Sequence, residues 1–208
     1  MKGQANIVIL ANGLFPSRQP GLDILKDADQ LICCDGAADK LIANGLIPHV
    51  IVGDLDSLSE EIRERYASIL VHSDDQESND LTKAVRYCME KGYSSLSIIG
   101  ATGLREDHTL GNISLMLEYA PHMDVRIISD FGAFFLVNSG EKISSYPGEA
   151  ISFFSVDNQV RVTSKGLRYP LHHLQLSRWY TASLNEATGD SFSLHFDSDL
   201  PLIVYRAW

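Results

Sequence analysis

Val50-Ile51-Val52-Gly53-Asp54-Leu55-Asp56-Ser57 is the stretch around which this chain is organised. Its short apolar run reads as a buried strand of a parallel sheet, ending at Gly53. Two aspartates follow at a spacing of two. In extended backbone such residues point to the same side, about 7 Å apart at Cα. Both carboxylates then converge on one hard cation, and Mg²⁺ favours one or two carboxylates completed by phosphate oxygens and water. Ligands of open α/β sheets bind beyond the carboxyl ends of the strands, where this pair lies. The plainer alternative makes Asp54 and Asp56 turn and capping residues ahead of a helix at Ser59.

Outward from this strand, residues 7–11, 31–34, 69–71, 96–99 and 125–128 read as further strands. Helices are predicted between them. One spans 37–44, with Leu41 and Ile42 inward, and stops at Gly45. Another runs from a Ser59 cap through Arg65, with Glu60 and Glu61 where the helix dipole favours acid. A third covers 81–91, opened by Ser78-Asn79-Asp80 and ended by Gly92. The last covers 108–119 with Leu110, Ile113 and Leu117 as its apolar stripe. Alternating strand and helix implies right-handed crossovers and a parallel sheet. Residues 1–132 are thus expected to form a Rossmann-like α/β domain. Beyond Phe131-Gly132 only short strand-like runs follow, at 134–137, 151–156, 160–163, 171–176, 191–196 and 202–205. They predict a small β-sandwich over 133–208. At about 75 residues it is short for an independent core and is expected to lean on its neighbour or a second subunit.

Composition narrows the partners. The chain has 208 residues, 17 basic and 27 acidic, for a net charge of -10. That excess of acid argues against a nucleic-acid surface, but not against a phosphorylated small molecule met by a metal and a few local cations. No apolar run reaches the ~20 residues that span a bilayer. The N-terminal residues 1–6 lead straight into a strand, which predicts no signal peptide. Three cysteines, two of them adjacent, make no disulfide framework and no metal spacing, which fits a reducing cytoplasm.

Acids recur at the predicted strand ends. Asp35, Asp54 and Asp56, Asp80 and Asp107 all fall on the same edge of a parallel sheet. Five carboxylates there repel one another unless a cation intervenes. Lys83 lies one helical turn after Asp80, on the same face. Arg105 closes the loop Gly100-Ala101-Thr102-Gly103-Leu104-Arg105, whose backbone N–H groups are placed to hold phosphate ahead of a helix. A metal with Lys and Arg is the equipment of phosphoryl transfer. Singly, Lys83 and Arg105 are also compatible with ordinary surface charges, and no Walker-type glycine motif is present.

Together these stretches resemble thiamine pyrophosphokinase (thiamin diphosphokinase). The resemblance rests on ICCDGAADKLIANGLIPHVIVGDLDSL, DQESNDLTKAV, IIGATGLREDHTLGNI, KGLRYPL and ASLNE, in that order. It implies an α/β nucleotide domain and a β-sandwich that helps bind thiamine and dimerises. The implied enzyme is a homodimer with its sites where the domains of two subunits meet. The implied reaction moves the β,γ-pyrophosphoryl group of ATP to the hydroxyethyl oxygen of thiamine, leaving AMP. By position, Asp54, Asp56 and Asp80 would hold Mg²⁺ with Asp35 nearby. Gln76 and Lys83 would line the site, Arg105 and Asp107 would meet the nucleotide phosphates, and Ser183 and Asn185 would meet thiamine. The chain departs from the family pattern at Gly36-Ala37-Ala38, at Gly103-Leu104-Arg105 and at Ala182-Ser183-Leu184-Asn185.

Other readings compete. A nucleotide-sugar transferase also binds metal and diphosphate through Asp-x-Asp. A Mg²⁺-dependent phosphohydrolase would use Asp54 as nucleophile, but Lys83 and Asp80 imitate its remaining groups poorly. A ligand sensor without turnover has no need of so many like charges around a metal. His172 and His173 read as alternating faces of a strand, and His108 as a helix-start residue. Tyr169 and Trp179 are either sandwich core or stacking surface for an aromatic substrate.

Overall fold

Six short apolar runs pair in parallel to form the first sheet. Its elements in chain order are β1 (Ile7–Leu10), α1 (Gly21–Lys26), β2 (Gln30–Cys34), α2 (Ala37–Ala43), β3 (Val50–Gly53), α3 (Glu60–Arg65), β4 (Leu70–His72), α4 (Asp80–Glu90), β5 (Ser95–Ile99), α5 (Glu106–Tyr119) and β6 (Asp124–Ser129). All five strand pairings are parallel, in the order β6-β5-β1-β2-β3-β4. All four residues of β1 are buried, as both-faced burial in a parallel sheet requires. The computed structural model describes residues 5–208 and divides into two compact units, parted between Asp130 and Phe131. The expectation of a missing signal peptide falls partly on residues 1–4, which lie outside the described residues.

The helices owe their faces to 3.6-residue periodicity. α4 buries Leu81, Ala84, Val85 and Cys88, an i, i+3, i+4, i+7 stripe. Its N-cap is Asn79, whose side chain accepts from the Thr82 N–H at 2.9 Å. α2 and α4 stop just before Gly45 and Gly92, both at φ 77°, where a side chain would be strained.

Several local expectations are corrected. α5 starts at Glu106 rather than His108, and Arg105 is its extended N-cap. Its buried stripe is Asn112, Ile113, Met116 and Tyr119, while Leu110 is 53% exposed. The Tyr119 hydroxyl meets Thr82 Oγ1 of α4 at 2.8 Å, and this buried bond helps select the inward face. Ser59 has the extended backbone of an N-cap but makes no side-chain cap bond; its N–H instead donates to Asp39 Oδ2. Ile69 belongs to a 3-10 turn, Ala67–Ile69, that precedes β4. The six-residue α1 was not foreseen; it buries little besides Leu25, too weak a pattern to detect.

The second unit is antiparallel throughout. It contains β7 (Gly132–Val137), β8 (Lys142–Ser144), β9 (Ala150–Phe154), β10 (Arg161–Lys165), β11 (Leu174–Gln175), β12 (Ala182–Glu186), β13 (Ser191–Phe196) and β14 (Leu202–Ala207). Within this unit β12, β9, β14 and β7 pair in that order in one layer, and β11, β10, β13 and β8 in the other. Ile151, Phe153, Leu202 and Val204 from the first join Val162, Phe192 and Leu194 from the second in a shared core, so the unit is a β-sandwich. Phe153 and Phe192 meet across it, tilted, with ring centroids 6.0 Å apart. The strand expected over 171–176 shrinks to β11, because His173 takes φ 51° and breaks the extended run. His172 and His173 therefore do not alternate on a strand.

Candidate active site

The order of the parallel sheet places a crevice before any side chain is considered. β1 to β4 grow outward in one direction; the chain then returns to lay β5 and β6 on the other side of β1. The carboxyl ends of β1 and β5 are thus the topological switch point. The loops leaving them are tied by backbone bonds, Gly13 N–H to Gly100 O at 2.7 Å and Leu14 N–H to Thr102 O at 2.9 Å. A Cβ on Gly13 would stand 2.2 Å from Gly100 O, so this approach demands glycine. Lys40 Nζ secures the other side by donating to the carbonyls of Asn12 and Gly13, each at 3.0 Å. A cavity of about 340 Å³ opens here, lined among others by Gly13, Cys34, Asp80, Gly100, Arg105 and Asn112.

The acids gather beside it. One carboxylate oxygen each from Asp35, Asp54 and Asp56 lies within 4.8 Å of the others. The backbone route differs from the extended geometry expected from spacing. Leu55 sits at φ 66°, with its side chain buried, so Asp54 and Asp56 converge around a left-handed turn. Asp35 takes φ 34° at the end of β2. Left-handed non-glycine residues of this kind cluster at functional sites. Gly53 makes room: a Cβ there would be 2.9 Å from Asp35 Cβ.

Asp35 is 1% exposed, and its Oδ2 accepts from the Ser57 N–H at 3.1 Å. Its Oδ1 is buried with no hydrogen-bond partner. Burial pushes its pKa up, the Ser57 N–H opposes this, and the charges of Asp80 and Asp54 add to the rise. A buried, unpartnered carboxylate oxygen between like charges is suited to a cation. The all-oxygen donor set is that of a hard divalent ion such as Mg²⁺.

Asp80 stands outside that trio, held by Lys83. Lys83 Nζ lies 3.0 Å from Asp80 Oδ1 and 3.4 Å from Asp54 Oδ2, and the lysine is 6% exposed. Burial alone would lower its pKa; the two carboxylates outweigh burial and hold it above the ordinary lysine value. Burial likewise opposes ionisation of Asp54, but hydrogen bonds from Asp56 and Lys83 bring its pKa below the usual carboxylate range.

The remaining candidates are dispersed. Gln76 is exposed on the loop before α4. Asp75 shapes that loop by accepting from Ser78 Oγ at 2.6 Å, the Glu77 N–H at 2.9 Å and Arg86 Nη1 at 2.5 Å. Arg105 lines the cavity and pairs with Asp107 through Nε at 3.1 Å and Nη2 at 2.5 Å. That pairing holds Asp107 down at about 2. In the sandwich, Ser183 Oγ donates to the Tyr180 carbonyl at 2.9 Å. Asn185 is buried, and its amide clasps the backbone of Tyr169: Oδ1 accepts from the N–H at 3.1 Å and Nδ2 donates to the carbonyl at 2.7 Å. Between them Leu184 is 83% exposed at φ 58°, on a bulge of β12. Tyr169 and Trp179 are both substantially exposed.

Sequence reasoning passed over Lys40, Ser57 and Asn112. Only Asn112 carried a signal, an amide inside an otherwise apolar helical face, where asparagine is a poor helix former.

Residues 22–133 match the family model described as thiamin pyrophosphokinase, catalytic domain, and residues 132–205 match the one described as thiamin pyrophosphokinase, substrate-binding domain. The chain is 27% identical over 197 residues to "Thiamin pyrophosphokinase 1" of Caenorhabditis elegans, covering 84% of this chain and 81% of the relative. It is 29% identical over 151 residues to "Thiamine pyrophosphokinase" of Bacillus subtilis, covering 69% and 71%. The solved structure of thiamine pyrophosphokinase from Bacillus subtilis superimposes with a TM-score of 0.80 at 26% identity, covering 97% of this chain and 98% of that one.

Proposed function

The chain belongs to the thiamin pyrophosphokinase family, and from that premise we propose how its acidic sheet edge performs the reaction. The enzyme is an ATP-dependent transferase that makes thiamine diphosphate. The nucleotide-sugar transferase and phosphohydrolase readings are not favoured, because both matched domain models are of thiamin pyrophosphokinase.

In our reading, ATP occupies the cavity between the loops after β1 and β5, with its phosphates toward Asp35, Asp54 and Asp56. The hydroxyl oxygen of thiamine bonds to the β-phosphorus, the bond from that phosphorus to the α,β-bridging oxygen breaks, and AMP leaves with that oxygen. The hydroxyl proton goes to solvent or to a nearby carboxylate. Mg²⁺, held by Asp35, Asp54 and Asp56 with Asp80 at the rim, would neutralise the phosphate charge that these carboxylates otherwise repel. Lys83 stays protonated between Asp54 and Asp80 and supplies fixed positive charge. Arg105, ordered by Asp107, brings a guanidinium to the cavity mouth for the phosphates. The observation that carries this arrangement is the buried, unpartnered Asp35 Oδ1 among converging carboxylates.

The sandwich is the proposed thiamine side and dimer surface. Exposed Tyr169, Trp179, Tyr180 and Leu184 form an apolar and aromatic surface that a lone monomer would leave in water. Ser183 and Asn185 stand among them. Asn185 acts by holding the Tyr169 backbone in place, more than by offering free hydrogen-bonding groups. We place the enzyme in the cytoplasm: its three cysteines are free and buried, as a reducing compartment allows. Among the described residues no helix is long and apolar enough to cross a membrane.

The test is incubation of purified protein with ATP, Mg²⁺ and thiamine. AMP and thiamine diphosphate are expected together, in equal amounts. ADP with thiamine monophosphate as first products would overturn the assignment.

A further inference from the structure

We propose that Asn112 is a positioning residue for pyrophosphoryl transfer, joined to Asn79 in a two-amide relay that sets the glycine-rich loop after β5 against the Asp80–Lys83 turn of α4. The proposal rests on the reading of the cavity as the ATP site.

The relay is continuous. Asn112 is buried in α5, and its Nδ2 donates to the Ala101 carbonyl at 2.8 Å. Asn79 Nδ2 donates to Asn112 Oδ1 at 3.2 Å. Asn79 Oδ1 then accepts from the Thr82 N–H at 2.9 Å. All three of Ala101, Asn79 and Asn112 line the cavity.

Chemistry forces the direction of this chain from both ends. A carbonyl only accepts, so Asn112 must turn its NH₂ to Ala101. A backbone N–H only donates, so Asn79 must turn its oxygen to Thr82. The two remaining amide ends are then an acceptor and a donor, and they face each other. Each asparagine is held in one orientation by the other.

The relay joins two parts of the site that have no covalent reason to keep register. The loop at 100–105 is also held toward β1, through the Gly13 and Leu14 N–H groups, and at its far end the Arg105 carbonyl accepts from the Thr109 N–H of α5. Gly100 at φ 72° and Gly103 at φ 92° leave its backbone with glycine's freedom. On the other side, Asn79 caps the helical turn that carries Asp80 and Lys83. Asn112 stands between them, so the loop that faces the nucleotide cannot drift from the helix that brings the carboxylate and the ammonium. Transfer chemistry is sensitive to such spacing, because misplacement by about 1 Å costs about a hundredfold in rate.

Two variants cut the relay at different points. Asn112→Asp keeps the shape and still accepts from Asn79, but it confronts the Ala101 carbonyl with a second acceptor. Asn79→Ser keeps a good helix cap but has no NH₂ for Asn112. Turnover, KM for ATP and thiamine, and melting temperature are measured for both and for the double variant. Each single variant is expected to lose about ten- to a hundredfold in kcat per folded molecule, with KM for thiamine nearly unchanged. The double variant should lose no more than the worse single one, since both break one relay. Normal kcat per folded molecule in either single variant, even with a lowered melting temperature, would show a merely structural bond and overturn the proposal. So would losses that multiply in the double variant. Should Asn112→Asp fail to fold, the partly exposed Asn79→Ser decides the matter by its own kcat. Product formation by the unmodified enzyme with unaffected variants sinks the relay alone; no product from the unmodified enzyme sinks the functional reading with it.

Discussion

Lys83 Nζ of α4 lies 3.4 Å from Asp54 Oδ2 beyond β3, so a helix and a strand end are joined by charge at the edge of the sheet. The lysine side chain is 4% exposed, and burying an ammonium without partners costs several kcal/mol. It is tolerated because Asp54 and Asp80 flank it. The same pairing leaves Asp35, Asp54 and Asp56 converging with little positive charge among them, which is the electrostatic reason for the divalent cation proposed there.

Asp54→Asn and Asp56→Asn are each expected to lower turnover by at least about a hundredfold, the range seen when a charge stabiliser of the transition state is lost. The fold should persist, because Asp56 is exposed and Asp54 only half-buried. Steady-state rates with circular dichroism as the fold control check this. Retained turnover in both variants would remove the metal-site reading.

Lys83→Met removes the fixed cation while keeping the apolar stem of the side chain. Turnover should fall by about a hundredfold or more. Mg²⁺ dependence should also change, because Asp54 and Asp80 lose their competing partner and become freer to bind the ion. A titration of rate against Mg²⁺ reads both effects; an unaltered titration curve and rate would rule out a role for Lys83.

Asp75, Ser78 and Arg86 hold the loop that carries Gln76. Ser78 is the main cause, with the Glu77 N–H and Arg86 adding, of an Asp75 pKa brought from 3.8 to about 2. A depressed acid contributes its stabilisation above the unfolded pKa and loses it as pH falls through the folded one. The clamp is therefore complete above about pH 4 and is lost as pH falls through about 2. Near neutral pH it is intact, and the loop runs into Asn79 and Asp80 at the cavity read as the ATP site, so Asp75→Asn and Arg86→Ala should raise KM for ATP several-fold there while leaving kcat within about threefold. KM values matching the unmodified enzyme in both variants would detach this loop from substrate binding.

Assembly is checked by light scattering at micromolar concentration. A homodimer is expected, with exposed Trp179 and Tyr180 of the sandwich covered. A fully active particle near 23.0 kDa would defeat a site shared between two subunits.

The strands of the parallel sheet and the helices α2 to α5 were legible because each is a local pattern. Four buried apolar residues in a row, or a stripe at helical spacing, is decided by neighbours along the chain. The carboxylates of Asp35, Asp54 and Asp56 were legible as a group for a related reason: a parallel sheet puts every strand end on one edge. How they converge was not. Spacing alone suggested extended backbone, whereas Leu55 turns left-handed with its side chain buried. The contact of Lys83 with Asp54 was equally hidden, since it depends on how α4 is seated beside β3, whereas Asp80 and Lys83 share one turn of one helix. Asn185 is a thiamine contact by resemblance; that its amide clasps Tyr169, sixteen residues away in sequence, was also hidden. Asn112 shows the limit most plainly. An asparagine in a helix signals only a local misfit, and its partners, Ala101 and Asn79, lie 11 and 33 residues distant. Sequence determines which groups are available and which edge they share; the donors and acceptors they meet are decided by tertiary packing, because a hydrogen bond depends on position in space within a few tenths of an ångström.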